Sequence, residues 1–158
     1  MREISKSVVK AGLDKTTREF TQRIEKYGFS RTKRWLWVRA KSKSADFVHI
    51  HLNGISYGRP INYSIVLRVH CGTYNESSNS LALNGPSSDD SEFMNKRYHL
   101  RFNAETGSTY ERCMDDLVRF VVEDGEPWFA EAEAANDPGK DIKLENENLS
   151  RKALGLKS

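Results

Sequence analysis

The apolar positions along the chain change period twice, and each change marks a change of element. Ile4, Val8, Leu13, Phe20, Ile24 and Tyr27 recur at broadly helical spacing with charges between them, which predicts an amphipathic N-terminal helix. Gly12 interrupts the run, and Asp14 is placed to cap a second helical piece ending at Tyr27. Gly28 then supplies the left-handed residue that commonly closes a helix, with Phe29 folding back onto it.

From residue 34 onward the period drops to two. Four strand-like runs follow, at residues 34–40, 46–53, 61–71 and 97–103. The clearest sets Ile61, Tyr63, Ile65, Leu67, Val69 and Cys71 against Asn62, Ser64, Val66, Arg68 and His70. Such alternation predicts a strand with one face on a core and the other in water. The last run repeats it, with Tyr98, Leu100 and Phe102 against Arg97, His99 and Arg101. Between the third and fourth runs, residues 73–95 are rich in Ser, Asn, Asp and Gly and are expected to form a mobile polar loop.

After Gly107 the spacing returns to three and four. Tyr110, Cys113, Met114, Leu117, Phe120 and Val121 define a second helix, expected to end at Gly125. Pro127 suits the first turn of a third, short helix that Asn136-Asp137-Pro138-Gly139 breaks. Residues 1–135 are therefore expected to form one domain, with 136–158 as a polar C-terminal tail. Leu144, Leu149 and Leu154 are weak helical anchors there, suited to a segment that orders on a protein partner. Strands grouped together and helices grouped together predict an α+β fold, an antiparallel sheet of at least four strands with N- and C-terminal helices on one face.

Bulk properties narrow this picture only a little. A chain of 158 residues can bury roughly 70% of its unfolded surface in one core without cross-links. No run approaches the roughly 20 apolar residues of a membrane span, and the start, Met1 to Lys6, carries no apolar signal core. Cys71 and Cys113 stand far apart and form no C-x-x-C pair, so both are expected to be buried and reduced. These features point to a cytoplasmic protein with no membrane partner and no cofactor. The net charge of +3 is unevenly placed. Residues 1–103 hold eighteen Lys and Arg against nine Asp and Glu, whereas 104–158 hold seven against thirteen. The front half should attract anions.

The order of elements resembles a known family. It is carried by Tyr27-Gly28-Phe29, then Arg34-Trp35-Leu36-Trp37-Val38-Arg39, then the run from His51 to Gly58, the long alternating strand, and Gly125 to Phe129. Over about residues 10–132 this is similar to the uncharacterised bacterial domain-of-unknown-function family 4304, also met in phage-borne and defence-associated settings. The resemblance implies the α+β fold and a bacterial or phage-type protein. It implies no activity and no catalytic residues, and the 73–95 insertion departs from a compact connection.

Candidate chemistry sits on the strands. His49, His51, His70 and His99 all fall in strand runs, and residues two apart share a face. If Val48, Ile50 and Leu52 face the core, His49 and His51 face away, as do Arg68, His70, His99 and Arg101. If Leu36, Val38 and Ala40 are core, then Trp35, Trp37 and Arg39 join them outside. Cationic donors interleaved with aromatic planes are the chemistry of a platform for an anionic ligand or single-stranded nucleic acid. A plainer reading competes, because the outer side of a one-sided sheet is polar as a rule. Reversing the parity of the first strand would also bury both tryptophans.

A metal site on His49 and His51, with His70 or His99 as third ligand, is set aside because the face is rich in Arg and lacks a carboxylate. An enzyme is the alternative. His49-Ile50-His51-Leu52 and His99-Leu100-Arg101-Phe102 are similar to the paired strand motifs of two-histidine phosphoesterases, with the Ser or Thr replaced by His51 and Arg101. That similarity implies His49 and His99 as acid and base on a phosphodiester. The P-loop, Gly-x-Gly-x-x-Gly, Gly-x-Ser-x-Gly and His-Glu-x-x-His motifs are all absent. The expectation from sequence is thus a non-catalytic binding module.

Overall fold

The computed structural model describes residues 2–41, 44–55, 63–75, 80–82, 85–88, 98–135 and 142–143. Helix α1 runs Arg2–Ile24, β1 Ser30–Lys33, β2 Leu36–Ala40, β3 Ser44–Ile55, β4 Ser64–Asn75 and β5 Ser80–Ala82. Then come β6 Arg101–Asn103, α2 Tyr110–Phe120, α3 Glu126–Ala135 and β7 Ile142–Lys143. The strands form one antiparallel sheet in the order β1-β2-β3-β4-β5-β7, with β6 also on β4. The protein is α+β, with the helices on one face of the sheet.

The N-terminal helix is unbroken through Gly12. A methyl group there would come within 3.0 Å of Ala104 and 3.2 Å of Ile65, so the position lets α1 lie close over the sheet. Its inner face is Val9, Leu13, Phe20 and Ile24, and it closes in a 3₁₀ turn, Glu25–Tyr27. There Gly28, at φ 93°, donates its N–H to the Glu25 carbonyl at 2.9 Å. Only glycine adopts that left-handed conformation at no steric cost.

Strands β3 and β4 are the spine. Val48, Ile50, Leu67, Val69 and Cys71 point to the helices and are almost fully buried, packed with Leu117, Phe120 and Val121 from the C-terminal helical region. Burying each such aliphatic side chain is worth about 1.5–3 kcal/mol, which fixes the strand parity. Leu52, expected in this core, is instead 40% exposed, beside a register shift between Leu52 and Gly54. Tyr63 and Tyr98 are partly buried against the core, while Ile61 and Arg97 lie outside the described residues.

Three expectations are corrected. Helix α2 does not end at Gly125, because a single π-turn, Val121–Gly125, carries it directly into α3. The Glu126 N–H reaches back to the Val121 carbonyl. A widened turn accommodates Pro127, which has no N–H to donate and would crowd a regular helix. Second, β4 continues to Asn75, and the polar stretch after it contributes β5 and a bridge between His70 and Ser87. The Cys71 N–H donates to the Pro86 carbonyl at 3.0 Å, so this part of the edge of β4 is closed by backbone bonding. The rest of 76–95 lies outside the described residues, as does most of the tail, from which β7 pairs with β5.

The third correction concerns β2. Its register pairs Trp37 with Val48 and Arg39 with Asp46, which turns Trp37 and Arg39 toward the helices. Leu36 and Val38 instead face the reverse side, where they form a second, smaller buried cluster with Ala45, Phe47 and Tyr74. The sheet is therefore apolar on both faces at this end, and the one-sided picture fails there.

Candidate functional site: a three-histidine cluster

The reverse face of β3 and β4 collects three histidines. Register pairs His49 with His70 and His51 with Arg68 across the two strands. Directly opposed residues of an antiparallel pair have Cβ atoms about 4.5–5.5 Å apart. Period-two spacing adds His51 beside His49, with ring centroids 3.9 Å apart. The His51 and His70 rings are stacked at 5.2 Å. One nitrogen from each of the three rings lies within 4.8 Å of the others, and all three residues are half-buried. His51 Nε2 and His70 Nδ1 are 3.2 Å apart, close enough for one ring to donate an N–H to the other's lone pair.

Electrostatics keep these rings uncharged. Burial, then the neighbouring His51 and His70, push the His49 pKa down from 6.5 to about 4. His51 is lowered by burial and then by Arg68, and His70 by burial, His51 and Arg68. At neutral pH the three are neutral imidazoles, each with a lone pair available on one ring nitrogen. Among the described residues no Cys, Asp or Glu joins the group.

The other predicted site residues are dispersed. Trp37 is fully buried, edge-on to Phe20 at 4.7 Å, and its Nε1–H donates to Thr21 Oγ1 at 2.9 Å. It has no face left for a base. Trp35 sits in the turn before β2, partly buried against the main core. Arg39 lies over Phe29 and Phe129, and its guanidinium pairs with Asp46 at 2.7 Å and Glu126 at 2.8 Å. These three residues belong to the helix side of the sheet, and the basic-aromatic platform loses its aromatic half. Arg101 is exposed on β6.

His99 precedes β6 and turns toward α2. Its backbone N–H donates to Asp116 at 2.6 Å. Its pKa is lowered by burial and then by Arg112 and Arg101, against Asp116. It does not belong to the three-histidine group, so His49 and His99 are not brought together as a two-histidine cleft would need.

A zinc-class ion at the centre of a tetrahedron, with bonds of 2.0–2.1 Å, places its ligand nitrogens about 3.3 Å apart. The His51–His70 pair already has that spacing, and the remaining separations are at most 4.8 Å. Cross-strand pairing of His49 with His70 was the feature that sequence reasoning missed, since it depends on register between two runs. No helix among the described residues is long and apolar enough to cross a membrane. Comparison with protein-family models, curated proteins and solved structures finds no match.

Proposed function

We propose that this chain is a non-catalytic binding module whose ligand is a single divalent transition-metal ion held by His49, His51 and His70. The observation that carries the reading is the convergence of three neutral imidazoles, with one pair at tetrahedral ligand spacing. The donor set selects the ion. Three imidazole nitrogens suit zinc, copper, nickel or cobalt, and the lack of carboxylates disfavours calcium and magnesium. The phosphodiesterase alternative draws no support from the geometry, because His99 stands outside the cluster.

Calorimetric titration of Zn²⁺ into chelator-stripped protein tests the proposal. One equivalent is expected to bind. Since loss of an outer-shell partner alone costs 10–100-fold, loss of a ligand in His51→Ala or His70→Ala should weaken binding by about 100-fold or more. Absence of binding, or an affinity equal to the parent's in His49→Ala, His51→Ala and His70→Ala, would sink it.

A further inference from the structure

The apolar strip on the reverse face is dry although no helix among the described residues lies on it. Leu36, Val38, Ala45, Phe47 and Tyr74 form this cluster, with Phe47 4% and Tyr74 1% exposed. Helices α1, α2 and α3 send their buried side chains to the main core, and none of them contributes a member here. An apolar sheet face is kept from water only by another layer laid across it. The strip therefore has an occupant outside the described residues. Register sets where that occupant must lie. Val38 opposes Phe47, Ala45 opposes Tyr74, and Leu36 opposes His49. Phe47 also meets the His70 ring edge-on at 6.2 Å, so the strip adjoins the three-histidine cluster.

We infer that the occupant is this chain's own segment 144–158, seated on Leu36, Val38, Phe47 and Tyr74 through Leu149, Ala153 and Leu156. Strand β7 delivers the segment to the right place. Ile142 is in register with Leu81, and Leu81 with Tyr74, so the chain leaves β7 at the end of the sheet that holds the strip. By contrast, β3 and β4 join at the opposite end, between Ile55 and Ser64. The length also fits. From β7 across β5, β4 and β3 to β2 is four strand spacings, about 19 Å at about 4.8 Å each. The fifteen residues from Leu144 to Ser158 measure about 22 Å as a helix and more when extended. Leu149, Ala153 and Leu156 recur at i, i+4 and i+7, one apolar stripe, and that spacing sets Glu147 and Arg151 on the opposite side. So placed, the segment walls the histidine cluster on its apolar side. The placement needs no ion at the histidines.

Benzoylphenylalanine placed at Leu149 of the full chain reports the neighbour of that position directly. Irradiation of dilute protein should cross-link it, within one chain, to peptides containing Leu36, Val38, Phe47 or Tyr74. Cross-links confined to α1, α2 or α3, cross-links only between two chains, or none at all would overturn the placement. Hydroxyl-radical footprinting of the full chain gives a second reading. Phe47 and Tyr74 should be protected in the parent and several-fold more oxidised in the double variant Leu149→Asp/Leu156→Asp. Phe20 and Trp37, fully buried on the helix side, should stay protected in both. Equal protection of Phe47 and Tyr74 in parent and variant contradicts the placement, as does ready oxidation of both in the parent. If the variant unfolds, so that Phe20 and Trp37 oxidise as well, the cross-link decides alone.

Discussion

Trp37 is the residue at which the two parities of β2 make opposite predictions. On an outward face, Trp37→Ala would be a surface change worth within about 0.5 kcal/mol. In the structure the indole is fully buried, packed edge-on against Phe20. Removing a buried Trp typically costs about 3–5 kcal/mol. The lost hydrogen bond to Thr21 adds at most about 1 kcal/mol, because the Thr21 hydroxyl still donates to the Thr17 carbonyl. Set against a domain stability of about 5–15 kcal/mol, Trp37→Ala leaves the fold marginal. Trp37→Phe keeps most of the packing and should cost about 1–2 kcal/mol. Urea denaturation followed by circular dichroism reads both, with the slope checked for constancy so that midpoints convert to free energies. A cost below about 0.5 kcal/mol for Trp37→Ala would return Trp37 to the surface. The helix-side placement of Arg39 would fall with it.

Two further outcomes follow from the packing and the charge state. A methyl group on Gly125 would meet Cys71 Sγ at 3.1 Å, so Gly125→Ala should destabilise despite the roughly 1 kcal/mol that alanine gains in a helix. The cost should shrink in a Cys71→Ala background, and a double-mutant cycle showing no coupling would contradict the close helix–sheet approach. In metal-free protein, the unfolded chain protonates His49 near 6.5 while the folded chain resists until about pH 4. The unfolded state therefore binds more protons in that window, and stability should fall as the pH drops through it. Because His49 is half-exposed, about 1–2 kcal/mol is the expected loss after solvent screening. A stability flat between pH 6.5 and 4, or a slope unchanged by His49→Gln, would contradict the burial assigned to this ring.

How far the sequence could be read depended on whether its two faces differed. In β4 the apolar set Ile65, Leu67, Val69 and Cys71 alternates with Arg68 and His70, and burial follows that alternation. The run 34–40 offers Trp35 and Trp37 on one parity and Leu36 and Val38 on the other, so hydrophobicity could not choose. The choice is made by long-range partners, Phe20 for Trp37 and Asp46 with Glu126 for Arg39. In the stretch after β4, the described residues pair through the main chain, as between Cys71 and Pro86 and between β4 and β5, which side-chain periodicity does not signal. At Gly125 and Pro127 the local rules for helix ends were sound, but a π-turn absorbed both residues. The histidine cluster was half legible. His49 and His51 share a face by spacing, whereas the addition of His70 and the exclusion of His99 follow from pairing that no single run encodes.

X-ray absorption at the zinc edge, on protein carrying one equivalent of Zn²⁺, reads the coordination by His49, His51 and His70 itself. The expected spectrum shows imidazole scattering from three nitrogens at about 2.0–2.1 Å together with one light oxygen donor. In His70→Ala one imidazole should be lost from that shell. A shell of oxygen alone, a sulfur ligand at about 2.3 Å from Cys71 or Cys113, or a spectrum indifferent to His70→Ala would contradict it.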